Sequence, residues 1–294
     1  MSEATAIETA SELSLAPAHA ITREDIATFE RDGVVCLRGM FDADWCSALL
    51  KATEDVMASG AGRVREPKLG EGQGRFYSNV YLGDLDPRFR RLCNLSPAPV
   101  IAAELMQCDS VRFYYDQIFV KLPGTSAPTP WHNDLPFWPF QGEDLISIWI
   151  ALTPVSKATS GVQYVAGSHR WGTMFQAVTP DYDPRFADPS MQPCPDYGAD
   201  DADPSVKVLS WDMQPGDALC HHPLTVHGAG GNTSATQMRA GISVRYLGRD
   251  VRWDPRPHTM KLRRDPGVAQ GDYPADDETL PIVWERDRGH VAAH

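Results

Sequence analysis

The chain has 294 residues, 42% of them hydrophobic, with 23 Gly, 24 Pro and a formal charge of −12. That length supports a sizeable core without help from disulfides or structural zinc. The acidity works against the basic surface that nucleic-acid phosphates or anionic lipid would require, so a small molecule is the expected partner. Cys36, Cys46, Cys93, Cys108, Cys194 and Cys220 form no Cys-x-x-Cys pair, which fits a reducing, cytoplasmic setting. The opening segment MSEATAIETASELSLAPAHA has acids where a secretion signal would have Lys or Arg, and the sequence contains no 18-residue apolar run to span a membrane.

Residues 1–20, rich in Ala, Ser and Glu without a period, read as a mobile tail ahead of a single domain over 21–294. Thr22-Arg-Glu-Asp25 is a capping box that opens a helix through Phe29 and Glu30, stopped by Gly33. A short strand, Val34 to Leu37, is expected next. Asp42 or Asp44 then caps a second helix with Trp45, Leu49, Leu50, Ala52 and Val56 at helical spacing. Ser59 to Gly74 reads as a Gly-rich loop, and Val100 to Met106 as a third helix. From there the period changes. Val111–Val120, Leu145–Leu152, Val162–Val165, Asp217–Cys220 and Ala240–Leu247 are β-branched or aromatic runs bounded by turn residues. Strands at short intervals without intervening amphipathic helices argue for an antiparallel sandwich or barrel. Two stretches are irregular: Tyr182–Pro204, dense in Pro and Asp, and the chain after Asp254. The first, within about 175–205, has the character of a lid loop.

The chemistry starts at Trp131-His132-Asn133-Asp134. On an extended strand His132 and Asp134 point to one side, so an imidazole and a carboxylate can grip one cation. His-x-Asp alone is a weak motif. It gains weight from a second histidine on a distant segment, because a 2-His-1-carboxylate set holds non-haem Fe(II) with positions left open. His227 is the preferred candidate over His221 and His222, whose adjacent side chains point to opposite faces. Arg239 follows twelve residues later, beyond the turn sequence Gly228-Ala-Gly-Gly-Asn232-Thr-Ser234, which is expected to place it near His227 on a consecutive antiparallel strand. A guanidinium there can take a carboxylate in bidentate fashion. Arg245 shares Arg239's strand face but lies roughly 20 Å further along at strand rise, too far to serve the same small anion, and an exposed salt bridge is its plain alternative.

The order His132-x-Asp134, His227, Gly-Asn-Thr-Ser and Arg239, with Ala166-Gly167-Ser168-His169 and the N-terminal Phe29-Glu30-Arg-Asp-Gly33-Val-Val, resembles the phytanoyl-CoA dioxygenase family of Fe(II)/2-oxoglutarate enzymes over about residues 22–248. The resemblance implies a mainly β fold with flanking helices, a double-stranded β-helix or jelly roll. It implies that His132, Asp134 and His227 ligate iron, that Arg239 receives the distal carboxylate of 2-oxoglutarate, and that Thr129, with Gln117 and Trp149, lies near the cosubstrate. Halogenating relatives carry a small residue where Asp134 stands, so hydroxylation of an unactivated C–H bond, driven by 2-oxoglutarate and O2, is the expected chemistry. Phe137 and Trp138 are candidates for an apolar substrate wall. The acid-rich loop, acting as a lid, would disfavour a multiply anionic substrate such as a CoA thioester. The alternative is a cupin-like metal isomerase or a ligand-binding jelly roll that uses no 2-oxoglutarate, in which Arg239 would be dispensable.

Overall fold

The computed structural model describes residues 13–199 and 202–291. Helix α1, Arg23–Asp32, starts where Thr22 accepts the Asp25 amide while the Asp25 carboxylate takes the Thr22 amide, and ends on left-handed Gly33. Strand β1, Val34–Leu37, follows, then α2, Ala43–Ser59, capped by Asp42. Each such cap satisfies amides the helix leaves open and stabilises by about 1 kcal/mol. The expected loop over 59–74 contains a strand, β2 (Arg63–Arg65), which forms a hairpin with β3, Phe76–Val80. Two further helices, α3 (Pro87–Asn94) and α4 (Pro97–Met106), each begin with Pro behind an Asp86 or Ser96 cap.

The remaining strands are β4 (Ser110–Lys121), β5 (Thr129–His132), β6 (Phe140–Gln141), β7 (Leu145–Ala151), β8 (Gln163–Val165), β9 (Val208–Ser210), β10 (Ala218–His221), β11 (His227–Ala229), β12 (Arg239–Leu247), β13 (Arg252–Trp253), β14 (Ile282–Glu285) and β15 (Gly289–His290). They form two principal antiparallel sheets. The larger runs β1-β10-β7-β12-β4-β14-β15, with β3 and β2 added beside β4, and the smaller runs β5-β11-β8-β9. This is the mainly β, double-stranded β-helix class expected from the sequence.

Alternation along the large sheet sorts its side chains. Ala240, Ile242, Val244 and Tyr246 of β12, Ile146, Ile148 and Ile150 of β7, and Ala218 and Cys220 of β10 join Trp45, Leu49, Phe89, Leu92 and Ile101 of the helices in one core. The opposite face, carrying Arg239, Ser243, Arg245, Trp149, Gln117 and His221, lines a cavity of about 480 Å³ against the small sheet. Helices thus stiffen one side of the sheet and leave the other for chemistry.

Two expectations change here. Of the mobile tail, residues 1–12 lie outside the described residues. Residues 13–20 are held in place: Leu13 is buried in the core, Ser14 accepts the Trp45 indole N–H at 2.8 Å, and the Ala18 amide reaches Met40 O. The Asp-rich stretch also has a local cause. Asp183, Asp188, Asp196 and Asp203 each accept the amide two residues on, at 3.0, 2.8, 2.8 and 2.9 Å, so these acids build turns. Among the described residues no helix is long and apolar enough to cross a membrane, and the cysteines are free.

Candidate active site

His132 ends β5 and His227 opens β11, and the two are paired across that ladder, with ring centroids 4.3 Å apart. Beyond His132 the chain leaves the sheet into a 3-10 turn, Leu135–Phe137, and the Asp134 amide donates to Pro223 O at 2.7 Å. That bond ties the Asp134 backbone to the segment leading into His227. The intervening Asn133 faces the other way, binding Thr173 O and the Phe175 amide. A nitrogen of each histidine and a carboxylate oxygen of Asp134 lie within 4.8 Å of one another, all three residues being buried.

The two imidazoles are oriented alike. His132 Nδ1 donates to Pro130 O at 2.7 Å and His227 Nδ1 to Thr225 O at 2.9 Å. A carbonyl can only accept, so each ring carries a proton on Nδ1, which leaves Nε2 as its free ligand atom. His132 Nε2 stands 3.6 Å from Asp134 Oδ1. Burial would push the Asp134 carboxyl up, but the nearby His132 and His221 ring nitrogens and the charge of Arg245 outweigh it and hold the group well below the usual range. Burial, reinforced by repulsion from His132 and His221, keeps the His227 imidazole well below its ordinary value and therefore neutral. Two imidazoles and one carboxylate are the donor set that suits a divalent transition metal.

Arg239, fully buried, opens β12. It donates through Nε and Nη2 to Ser160 O, at 3.1 and 2.8 Å, and lies 5.3 Å over the Trp149 ring. Ser160 occupies the left-handed region, φ 69°, which aims its carbonyl back at the guanidinium. Among the described residues no carboxylate pairs with Arg239, and burial lowers its pKa to about 10. The expected neighbourhood on consecutive strands of one ladder is not what brings it to His227: β11 belongs to the small sheet and β12 to the large one, and the two residues face each other across the cavity.

A family model described as phytanoyl-CoA dioxygenase matches residues 29–241, most of the chain. The chain belongs to the phytanoyl-CoA dioxygenase family. It is 24% identical over 259 residues to the multifunctional dioxygenase prhA of Penicillium brasilianum, covering 80% of this chain and 75% of that one. It is 26% identical over 199 residues to the L-proline trans-4-hydroxylase of Streptomyces griseoviridis, covering 64% and 74%. Among solved structures, the α-ketoglutarate-dependent carbocyclase SnoK of nogalamycin biosynthesis superposes with a TM-score of 0.70 at 24% identity, over 92% of this chain and 99% of that one. As a member of the phytanoyl-CoA dioxygenase family the protein is an Fe(II)/2-oxoglutarate-dependent dioxygenase that consumes O2. The cluster suits that requirement: Asp134 Oδ2 and His221 Nε2 are buried polar atoms with no hydrogen-bond partner.

The other expected site residues separate. Thr129, Gln117, Trp149 and Phe137 line the same cavity as the cluster. Gln117 bridges Ser78 Oγ, at 2.9 Å, and the Arg245 guanidinium. Trp138 is a correction. It is fully buried away from the cavity, edge-on to Tyr114, with its indole N–H on Tyr115 Oη at 3.3 Å. The chain leaves its 3-10 turn at this point, sending Phe137 toward the cavity and Trp138 into the aromatic core. Arg245 is no surface ion pair either: it is buried and lines the cavity. His221 also stands inside, its Nε2 3.5 Å from Asp134 Oδ2 and its Nδ1 3.2 Å from Tyr164 Oη, while Tyr164 stacks on His227. The sequence carried the alternation that separates His221 from His222, but no sign of which of the two faces the cluster.

Proposed function

We propose that the protein hydroxylates an unactivated C–H bond of a small organic molecule, with His132, Asp134 and His227 holding Fe(II) and Arg239 receiving the distal carboxylate of 2-oxoglutarate. The observation that carries this reading is the shared Nδ1 anchoring of the two histidines, which presents both Nε2 lone pairs to the position Asp134 also faces. Iron bound there supplies the activation of O2, coupled to conversion of 2-oxoglutarate to succinate and CO2; one oxygen atom enters succinate and the other the substrate. The protein's own contribution is placement. Pro130 O and Thr225 O fix the rings, and the Pro223 carbonyl fixes the Asp134 backbone. Arg239 offers a positive charge already desolvated and braced on Trp149 and Ser160, so a carboxylate meets a donor that needs no rearrangement. Thr129, which lines the same cavity as the cluster, is assigned to the cosubstrate's edge in this reading. Phe137 and Phe186, 5.5 Å apart, shield the cavity's outer side. Val178, Thr179, Pro180 and Arg185 of the 175–205 segment border the same opening, which is the placement a lid requires.

The test is product analysis under 18O2. Substrates are screened by stimulated succinate release, and the product of any hit is weighed. Hydroxylation requires one 18O per turnover in the product. A product without that oxygen, formed with stoichiometric succinate, would assign desaturation, cyclisation or epimerisation instead.

A further inference from the structure

The cavity end remote from Arg239 holds charge that the proposed reaction leaves unused. Arg245 lies six residues along β12, 3% exposed, its guanidinium 4.2 Å over the Tyr115 ring. Nη2 donates to Gln117 Oε1 at 3.2 Å. Nε is 3.9 Å from Asp134 Oδ2, beyond hydrogen-bond reach, and both Nε and Nη1 are buried without a partner. Tyr81, itself at φ 58°, also rests against Tyr115, centroids 6.1 Å apart, and its buried hydroxyl is unpartnered too. Arg245 and Tyr81 both line the cavity. Arg245 is therefore only partly satisfied, and leaving two N–H groups of a buried guanidinium without an acceptor costs about 1–3 kcal/mol or more, so a protein that keeps them at a cavity wall has a use for them.

Charge and shape point the same way. In the loaded site Fe(II) with Asp134 and 2-oxoglutarate with Arg239 cancel one another in formal charge, leaving Arg245 as one uncompensated positive charge. The outer cavity adds Arg63, Arg65, Arg185 and Lys261, whereas Asp134 supplies the only carboxylate among its lining residues. Asp181 and Asp183 pair with Arg65, and Asp183 with Arg185, so these two acids and two arginines cancel and the rim's excess positive charge is that of Arg63 and Lys261. Arg63 and Lys261 make no ion pair among the described residues. Val80, Phe137, Phe186 and Met260 give the same wall apolar surface, beside the polar Thr179, His258 and Thr259.

We propose that Arg245, aided by the Tyr81 hydroxyl, seats a carboxylate of the primary substrate, and that the substrate class is an apolar organic acid. The anion fixes one end of the molecule beside the cluster and thereby selects the C–H bond presented to it. This rests on the assignment of Arg239 to 2-oxoglutarate.

The experiment is calorimetric titration of the anaerobic Fe(II)- and 2-oxoglutarate-loaded protein with cyclohexanecarboxylate, 3-phenylpropanoate and decanoate, each beside its primary carboxamide. We expect at least one acid to bind about 10- to 100-fold more tightly than its amide, as a charge-assisted hydrogen bond gives. Arg245→Gln reduces that preference below about twofold, with 2-oxoglutarate affinity kept. Tyr81→Phe, a milder change, lowers the preference about threefold or more and serves if Arg245→Gln fails to fold. The proposal is overturned if amides bind as well as acids, if no acid binds, or if Arg245→Gln keeps the preference. Loss of 2-oxoglutarate affinity in Arg245→Gln but not in Arg239→Gln would instead overturn both this proposal and the assignment of Arg239.

Discussion

Arg239→Gln separates stability from function in a way few substitutions do. Burial holds the guanidinium at a pKa of about 10, a depression of roughly two and a half decades, which corresponds to about 3 kcal/mol of cost for keeping the charge inside the unliganded protein. Replacing it by a neutral amide relieves that cost and loses hydrogen bonds to Ser160 O, worth about 1–3 kcal/mol. The two nearly cancel. Unliganded Arg239→Gln should therefore melt within a few degrees of wild type or slightly above it. The response to cosubstrate should differ sharply. At 100 times its Kd, 2-oxoglutarate stabilises the wild type by about 2.7 kcal/mol, or roughly 5–10 °C in Tm at about 2–4 °C per kcal/mol. The variant should shift by less than about 1 °C, having lost the charge that pairs with the distal carboxylate. The assay is thermal unfolding of the anaerobic Fe(II)-loaded proteins with and without 2-oxoglutarate. A variant that keeps the full ligand-induced shift refutes the role of Arg239. One that is much less stable without ligand refutes the account of a costly buried charge.

Gly241→Ala tests the platform beneath Arg239: a Cβ on this hemmed-in strand would lie 1.9 Å from the Trp149 ring, between β7 and β4. It should cost about 1–3 kcal/mol of stability by overpacking and weaken 2-oxoglutarate binding at least about tenfold by tilting Trp149; denaturant unfolding and anaerobic titration check both. His222 carries an acid-lability prediction. Burial and the neighbouring His169 and His221 lower its pKa to about 3, so below its unfolded value of about 6.5 the unfolded chain takes up a proton that the folded chain refuses. Stability should thus fall as pH drops, by about 2 kcal/mol between pH 6.5 and 5 from this group alone. His222→Asn, which retains an acceptor for the Leu224 amide, should flatten that limb, and parallel pH curves for the two proteins would rule the group out.

Much of this molecule is legible where local chemistry decides it. Thr22, Asp42 and Gly33 marked helix ends, and the β-branched runs of β4, β7 and β12 marked the central strands. Strand β3 was hidden because Ser78 and Asn79, polar in sequence, are buried and bonded to Gln117 and to Ala61 O. Helix α3 was hidden by a Pro start and three arginines that read as loop. Order and spacing singled out His132, Asp134 and His227, which the structure brings together, but the cavity around them needs the sheet in three dimensions. Periodicity placed Arg239 and Arg245 on one face; it carried no information that this face looks inward along its whole length. Trp138 shows the reverse failure, since a 3-10 turn follows neither period and sends consecutive aromatics apart.

In the proposed reaction His132, Asp134 and His227 hold Fe(II) in a form that 2-oxoglutarate chelates. Anaerobic addition of Fe(II) and 2-oxoglutarate should produce the weak visible charge-transfer band of that chelate in the wild type. The band should be absent in Asp134→Ala and His227→Ala proteins that remain folded. No band in folded wild-type protein, or an unchanged band in those variants, would contradict the account.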